Sequence, residues 1–140
     1  MAFRFLEHTA DLAVEIAAPT VQDLFTEAVA ALTACLVDGA AVVRLEERKV
    51  ALRAADLDRL LVAWLGEALA AFDIDRFLVG GAAATIERAA GEYLLRGSLS
   101  GEPIDPRRHP LEVLVKGVSY HGLRVESDAG GWHATVVFDI

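Results

Sequence analysis

The sequence predicts an α+β protein, a two-layer sandwich in which two helices cover a mainly antiparallel sheet. Three observations predict it. Two long stretches carry apolar residues at helical spacing, and the segments around them alternate as half-buried strands do. Their order is strand, helix, strand, helix, then a run of strands separated by turn residues. No linker, repeat or low-complexity block divides the chain, which predicts a single domain over residues 1–140.

From Asp11 to Ile16 the residues alternate, with Leu12, Val14 and Ile16 on one face and Asp11, Ala13 and Glu15 on the other. That is the pattern of a strand with Asp11 turned away from the aliphatics. Pro19-Thr20 opens a helix, and Thr20-Val21-Gln22-Asp23 supplies a start resembling a capping box. Val21, Leu24, Phe25, Ala28, Leu32 and Leu36 recur at helical spacing, and Asp38-Gly39 ends the run. Val42 to Ala54 reads as a strand, with Glu46-Glu47-Arg48-Lys49 at a turn or an edge. Asp56 is a candidate N-cap for a second helix whose stripe runs from Leu57 through Trp64 to Phe72. Phe77 to Glu87 and Glu92 to Ser100 form an antiparallel pair turning at Ala89-Ala90-Gly91. A proline-punctuated loop follows, from Glu102 to Pro110. Val113 to Val125 and Trp132 to Asp139 then make a final hairpin across Ser127-Asp128-Ala129-Gly130-Gly131.

Composition narrows the function classes. Apolar residues make up 54% of the chain, above the roughly 45–50% of ordinary domains, so the chain has the means to build a core. No apolar run approaches the ~20 residues of a membrane-spanning helix. The N-terminus enters Phe3-Arg4-Phe5 without the features of a secretory signal, which predicts a cytoplasmic protein with no membrane partner. Cys35, the single cysteine, lies within the first helical pattern as a small core residue. The net charge is −8 and the arginines are scattered along the chain. Strong direct nucleic-acid binding is therefore not expected, because it needs lysines and arginines to displace counterions. Docking onto a basic enzyme remains open to an acidic protein.

Chemistry concentrates at the two ends. In the last strand Asp139 shares a face with His133, Thr135 and Val137, opposite Trp132, Ala134, Val136 and Phe138. The α-carboxylate of Ile140 follows it directly. If the fold brings Asp11 to this end, three carboxyl groups share a small volume, each pair repelling by roughly 4 kcal/mol at 4 Å and an effective dielectric near 20. A bound cation relieves that repulsion, and hard oxygen donors select Ca²⁺, Mg²⁺ or Mn²⁺ over zinc. Lys116 lies between apolar residues, where a lysine either snorkels to the surface or pairs with an acid. His8, His109, His121 and His133 match no compact zinc motif. Ser119, His121 and Asp139 could in principle assemble a nucleophilic triad, but no nucleophile-elbow pattern accompanies them. No glycine pair forms a phosphate-binding loop.

Five segments occur together in a set order: His8-Thr9-Ala10-Asp11, the Asp23-Leu24-Phe25 helix, Gly101-Glu102 with Asp105 and His109, Val115-Lys116-Gly117-Val118-Ser119-Tyr120-His121, and Phe138-Asp139-Ile140. In these the chain resembles the archease family over nearly its whole length. The family's lysine motif reads Val-Lys-Ala-Val-Thr-Tyr-His, so Gly117 and Ser119 depart from it, small for small. The resemblance implies the archease fold and a role as protein activator of an RtcB-type RNA ligase in tRNA splicing and RNA repair. Such an activator promotes guanylylation and multiple turnover and is not itself an enzyme. The resemblance further implies Asp11, Asp139 and Ile140 as ligands of a divalent cation, Ca²⁺ being the family's ion. Lys116 matches a position tied to activation, and His8 and His121 lie in matching motifs as further candidates for partner activation. Two other classes stand beside this reading: a metal-dependent hydrolase or phosphotransferase using His8, Asp11, His109 and His121, and a chaperone-like binding module.

Overall fold

Each helix starts where a side chain caps it. In the computed structural model, which describes residues 2–6, 11–37 and 41–140, Thr20 is extended and its hydroxyl accepts from Asp23 N at 3.1 Å. That satisfies one of the first turn's orphan N–H groups, and a sixteen-residue helix runs from Val21 to Leu36. Asp56 repeats the device, accepting from Arg59 N at 2.8 Å before the helix Leu57–Asp75. The second helix stops at Arg76, whose φ of 55° is left-handed, with its N–H bonded to Phe72 O. The first ends at Val37, whose N–H reaches Thr33 O at 2.9 Å; its expected stop signal at Asp38-Gly39 lies outside the described residues.

The elements run β1 (Ala2–Leu6), β2 (Asp11–Ala18), α1 (Val21–Leu36), β3 (Glu46–Ala54), α2 (Leu57–Asp75), β4 (Phe77–Ala89), β5 (Glu92–Pro103), β6 (Gly117–Asp128) and β7 (Gly131–Asp139). All pairings among the described residues are antiparallel, and the two-helix antiparallel sandwich is the fold the sequence predicts. The strands divide into two sheets, however, in the orders β1-β2-β7-β6 and β3-β5-β4. The stretch joining β5 to β6, residues 104–116, carries Pro106 and Pro110 and makes no ladder, so pairing does not continue from one sheet into the other.

Three further differences from the sequence reading have physical causes. Ala2–Leu6 is a strand, zipped along β2 from Ala2↔Ala17 to Leu6↔Ala13. β3 begins at Glu46, not Val42, and its Glu46-Glu47-Arg48-Lys49 stretch lies on an edge, as the sequence allows, since among the described residues β3 pairs only with β5. Charged side chains suit an edge because they discourage further pairing. The last hairpin's first strand begins at Gly117, not Val113, because the chain before it is drawn towards α1, Glu112 N donating to Leu36 O at 2.8 Å.

One apolar cluster joins both helices to both sheets, through Leu24, Phe25, Leu32, Leu60, Trp64 and Leu65 on the helices and Val14, Leu95, Leu99, Val136 and Phe138 on the strands. Each fully buried side chain of this size contributes about 1.5–3 kcal/mol. Trp64 is wholly buried, and its indole N–H donates to Phe25 O at 2.9 Å, fixing α2 against α1. Cys35 belongs to this cluster, and burial raises its thiol pKa. No helix among the described residues is long and apolar enough to cross a membrane.

Candidate functional site

The site is built on the last rung of the four-stranded sheet. The β2–β7 ladder pairs Asp11 with Asp139, and the β7–β6 ladder pairs Asp139 with Gly117. Directly paired residues point to the same face. On the next rung Leu12, Phe138 and Val118 pack against the core, so Asp11, Asp139 and Gly117 share the outer face. The strand alternation read from the sequence accounts for this: one step along the pleat separates core from solvent.

Asp139 is exposed and Asp11 is half-buried, with Oδ1 shielded from solvent. The Asp139 carboxylate leans over Gly117: a Cβ added there would lie 3.6 Å from Oδ2. Ile140, 37% exposed, follows immediately. Lys116 reaches this corner through its backbone, its N–H donating to Asp139 O at 2.7 Å. Val115 anchors in the core beside it, which leaves the Lys116 side chain exposed, with no ion pair among the described residues. The corner thus holds two carboxylates on adjacent strands with a lysine beside them.

The donor chemistry suits a hard cation, because two carboxylates on neighbouring strands present oxygen ligands from one face. Among the described residues no group of three or more His, Cys, Asp or Glu side chains gathers as a metal cluster. His8 lies outside the described residues.

The other histidines go to different places. His121 is exposed in an excursion of β6, where the register jumps from Ser119↔Val137 to Arg124↔Thr135. Its backbone N–H donates to Ser119 Oγ at 3.0 Å, so the serine hydroxyl serves the turn. His133 is on the outer face but pairs with Ala17, six residues back along β7 and roughly 20 Å from Asp139. It lies 3.7 Å from both Glu126 and Asp128.

His109 is fully buried. Its Nδ1 accepts from Asp105 N at 2.8 Å, while Nε2 faces Ala41 O at 3.1 Å and Glu102 Oε2 at 3.4 Å. Accepting at Nδ1 places the ring proton on Nε2, where it can donate to Ala41 O. Glu102, also buried, takes Arg108 on both oxygens and accepts from Val43 N at 2.5 Å. The Arg108 hydrogen bonds, then that from Val43, hold its pKa down to about 2. This Glu102–Arg108–His109 clamp fastens the loop after β5 to the segment before β3. A histidine with both ring nitrogens engaged and no solvent access offers nothing to an external substrate, which removes His109 from the hydrolase constellation. The polar, proline-punctuated sequence marks the loop but gives no sign of how deeply His109 and Glu102 are buried.

The fold and site define an α+β protein of two antiparallel sheets and two helices, with an acidic pair closing the central strands of one sheet. The model of the Archease protein family (MTH1598/TM1083) matches residues 3–140. Protein archease of Methanosarcina mazei is 38% identical over 143 aligned positions, covering 99% of this chain and 95% of that protein. Protein archease of Methanopyrus kandleri is 37% identical, with both chains covered completely. The solution structure of Methanobacterium thermoautotrophicum protein 1598 superposes with a TM-score of 0.86 at 27% identity, covering 99% of this chain and 98% of that one. The crystal structure of an archease, possible chaperone, from Thermotoga maritima shares the fold at a TM-score of 0.64 and 21% identity, over 96% and 94% of the two chains. The chain belongs to the archease family.

Proposed function

We propose that this protein is a cytoplasmic, non-enzymic activator of an RtcB-type RNA ligase, promoting guanylylation and multiple turnover in tRNA splicing and RNA repair. Membership of the archease family supports this reading, and the observation that carries it is the Asp11–Asp139 rung with Lys116 beside it. Asp11, Asp139 and the carboxylate at Ile140 would hold a divalent cation, Ca²⁺ before Mg²⁺ or Mn²⁺. When bound, the cation neutralises the clustered carboxylates and offers open positions to oxygen ligands. Lys116 would meet an anionic group of the partner or its nucleotide, since its side chain is exposed and no ion pair among the described residues holds the ammonium. Leu114, Tyr120 and Ile140, near this corner in sequence, are exposed apolar side chains suited to a protein partner.

The test is a multiple-turnover ligation assay with the cognate ligase. Wild-type protein is expected to stimulate joining, and Lys116→Ala to lose most of that stimulation with stability changed by less than about 0.5 kcal/mol. Absence of stimulation by wild type overturns the reading. Full stimulation by Lys116→Ala and Asp139→Ala overturns only the site. Protection of unrelated proteins from aggregation, without ligase stimulation, would favour the chaperone-like reading.

A further inference from the structure

The arginines are scattered in sequence but not in space. Four successive outer rungs of the three-stranded sheet each carry one cation. On the first, Glu47–Ser100–Gly81, the Arg44 guanidinium lies over Gly81, where any Cβ would collide with it. The second is Lys49–Ser98–Ala83, the third Ala51–Arg96–Thr85, and the fourth Arg53–Leu94–Glu87. Alternate residues along a strand put successive rungs roughly 6.7 Å apart. The two central rungs hold no carboxylate.

Glu47 occupies Lys49 at 2.7 Å, but Arg44, Arg53 and Arg96 are exposed and make no ion pair among the described residues. In a chain with 13 basic and 21 acidic residues, three uncompensated arginines on one face are the reverse of the general balance. Between them Ala51, Ala83 and Ser98 floor a shallow hollow of about 610 Å³. Small side chains let a backbone approach the sheet, and the Ser98 and Thr85 hydroxyls add neutral donors.

We propose that this face binds the phosphodiester backbone of a single-stranded nucleic acid. Guanidinium groups match phosphate oxygens in a two-pronged geometry. None of the four rungs carries an aromatic side chain; the one large apolar residue on them, Leu94, is half-buried on the fourth, and the exposed Leu45 lies before the first. A base-stacking platform needs aromatics and a protein interface needs an apolar centre, so backbone contact is the mode that fits. Recognition is then independent of sequence and sensitive to salt. The net charge of −8 keeps it weak, in keeping with a strand that is handed on.

Fluorescence anisotropy with a labelled oligouridylate, no ligase present, tests this independently of the activator reading. Saturable binding at low salt is expected, weakening with a log–log salt slope of about −2 for three phosphate contacts. Arg53→Glu with Arg96→Glu should weaken binding roughly tenfold and flatten the slope to about −0.7. Arg4→Glu with Arg124→Glu makes the same charge change on the other sheet and should leave binding within about twofold. Should the first pair melt early, Arg53→Ala with Arg96→Ala replaces it. No binding by wild type, or equal loss in both pairs, overturns the proposal. So does polyglutamate that competes as well as oligouridylate, which would assign the face to an acidic protein.

Discussion

Asp11 and Asp139 stand directly opposite each other on the last rung of the β2–β7 ladder, at the same face of the sheet. Two like charges in that relation are destabilising. Their retention side by side has a simple account if the rung exists to hold a cation.

Asp139→Asn should therefore raise the melting temperature in a chelator, since repulsion across the rung is gone. Calcium should stabilise wild type, by about 2.7 kcal/mol at a hundredfold excess over its dissociation constant, and leave the variant unmoved. Residues appended after Ile140 should weaken the calcium response as well. Melting curves with and without calcium decide this, and identical calcium shifts in wild type and Asp139→Asn would sink the cation assignment.

Gly117→Ala should be tolerated. The added Cβ would sit 3.6 Å from Asp139 Oδ2, an ordinary contact, and Gly117 has no positive φ. Alanine restricts the unfolded chain more than glycine, so a gain of about 0.4–1 kcal/mol is expected in denaturant unfolding. A loss would mean the strand start needs glycine's freedom.

The Glu102 clamp makes a prediction about acid. Its folded pKa of about 2 lies below the ordinary 4.5, so the carboxylate stabilises the fold above pH 4.5. That contribution is lost as pH falls from 4.5 towards 2, because the unfolded state then binds the proton more readily. Glu102→Gln should be less stable at neutral pH and flatter across that acid range. Parallel slopes for the two proteins would show that other carboxylates govern acid unfolding.

Trp64→Phe removes the hydrogen bond to Phe25 O and part of a wholly buried ring. A cost of about 1–3 kcal/mol is expected from the lost bond and the space left behind. Urea unfolding followed by circular dichroism measures it, and a change below about 0.5 kcal/mol would mean the helices repack around the gap.

Much of this molecule is legible residue by residue. Thr20 and Asp56 announce their helices because capping is a local hydrogen bond, and the stripe through Trp64 names its buried face because the helical period is fixed. Alternation likewise put Asp11 and Asp139 on the outer faces of their strands before any partner was known. What the chain could not state locally was who pairs with whom. The proline-bearing crossing after β5 separates the strands into two sheets, and the pairing of β2 with the distant β7 sets Asp11 against Asp139. The same long-range packing buries His109 in a clamp and gathers Arg44, Arg53 and Arg96 on one face. Period, caps and turns are short-range and belong to the sequence. Register, burial and the company a charge keeps come from contacts between distant segments, and only the tertiary structure decides those.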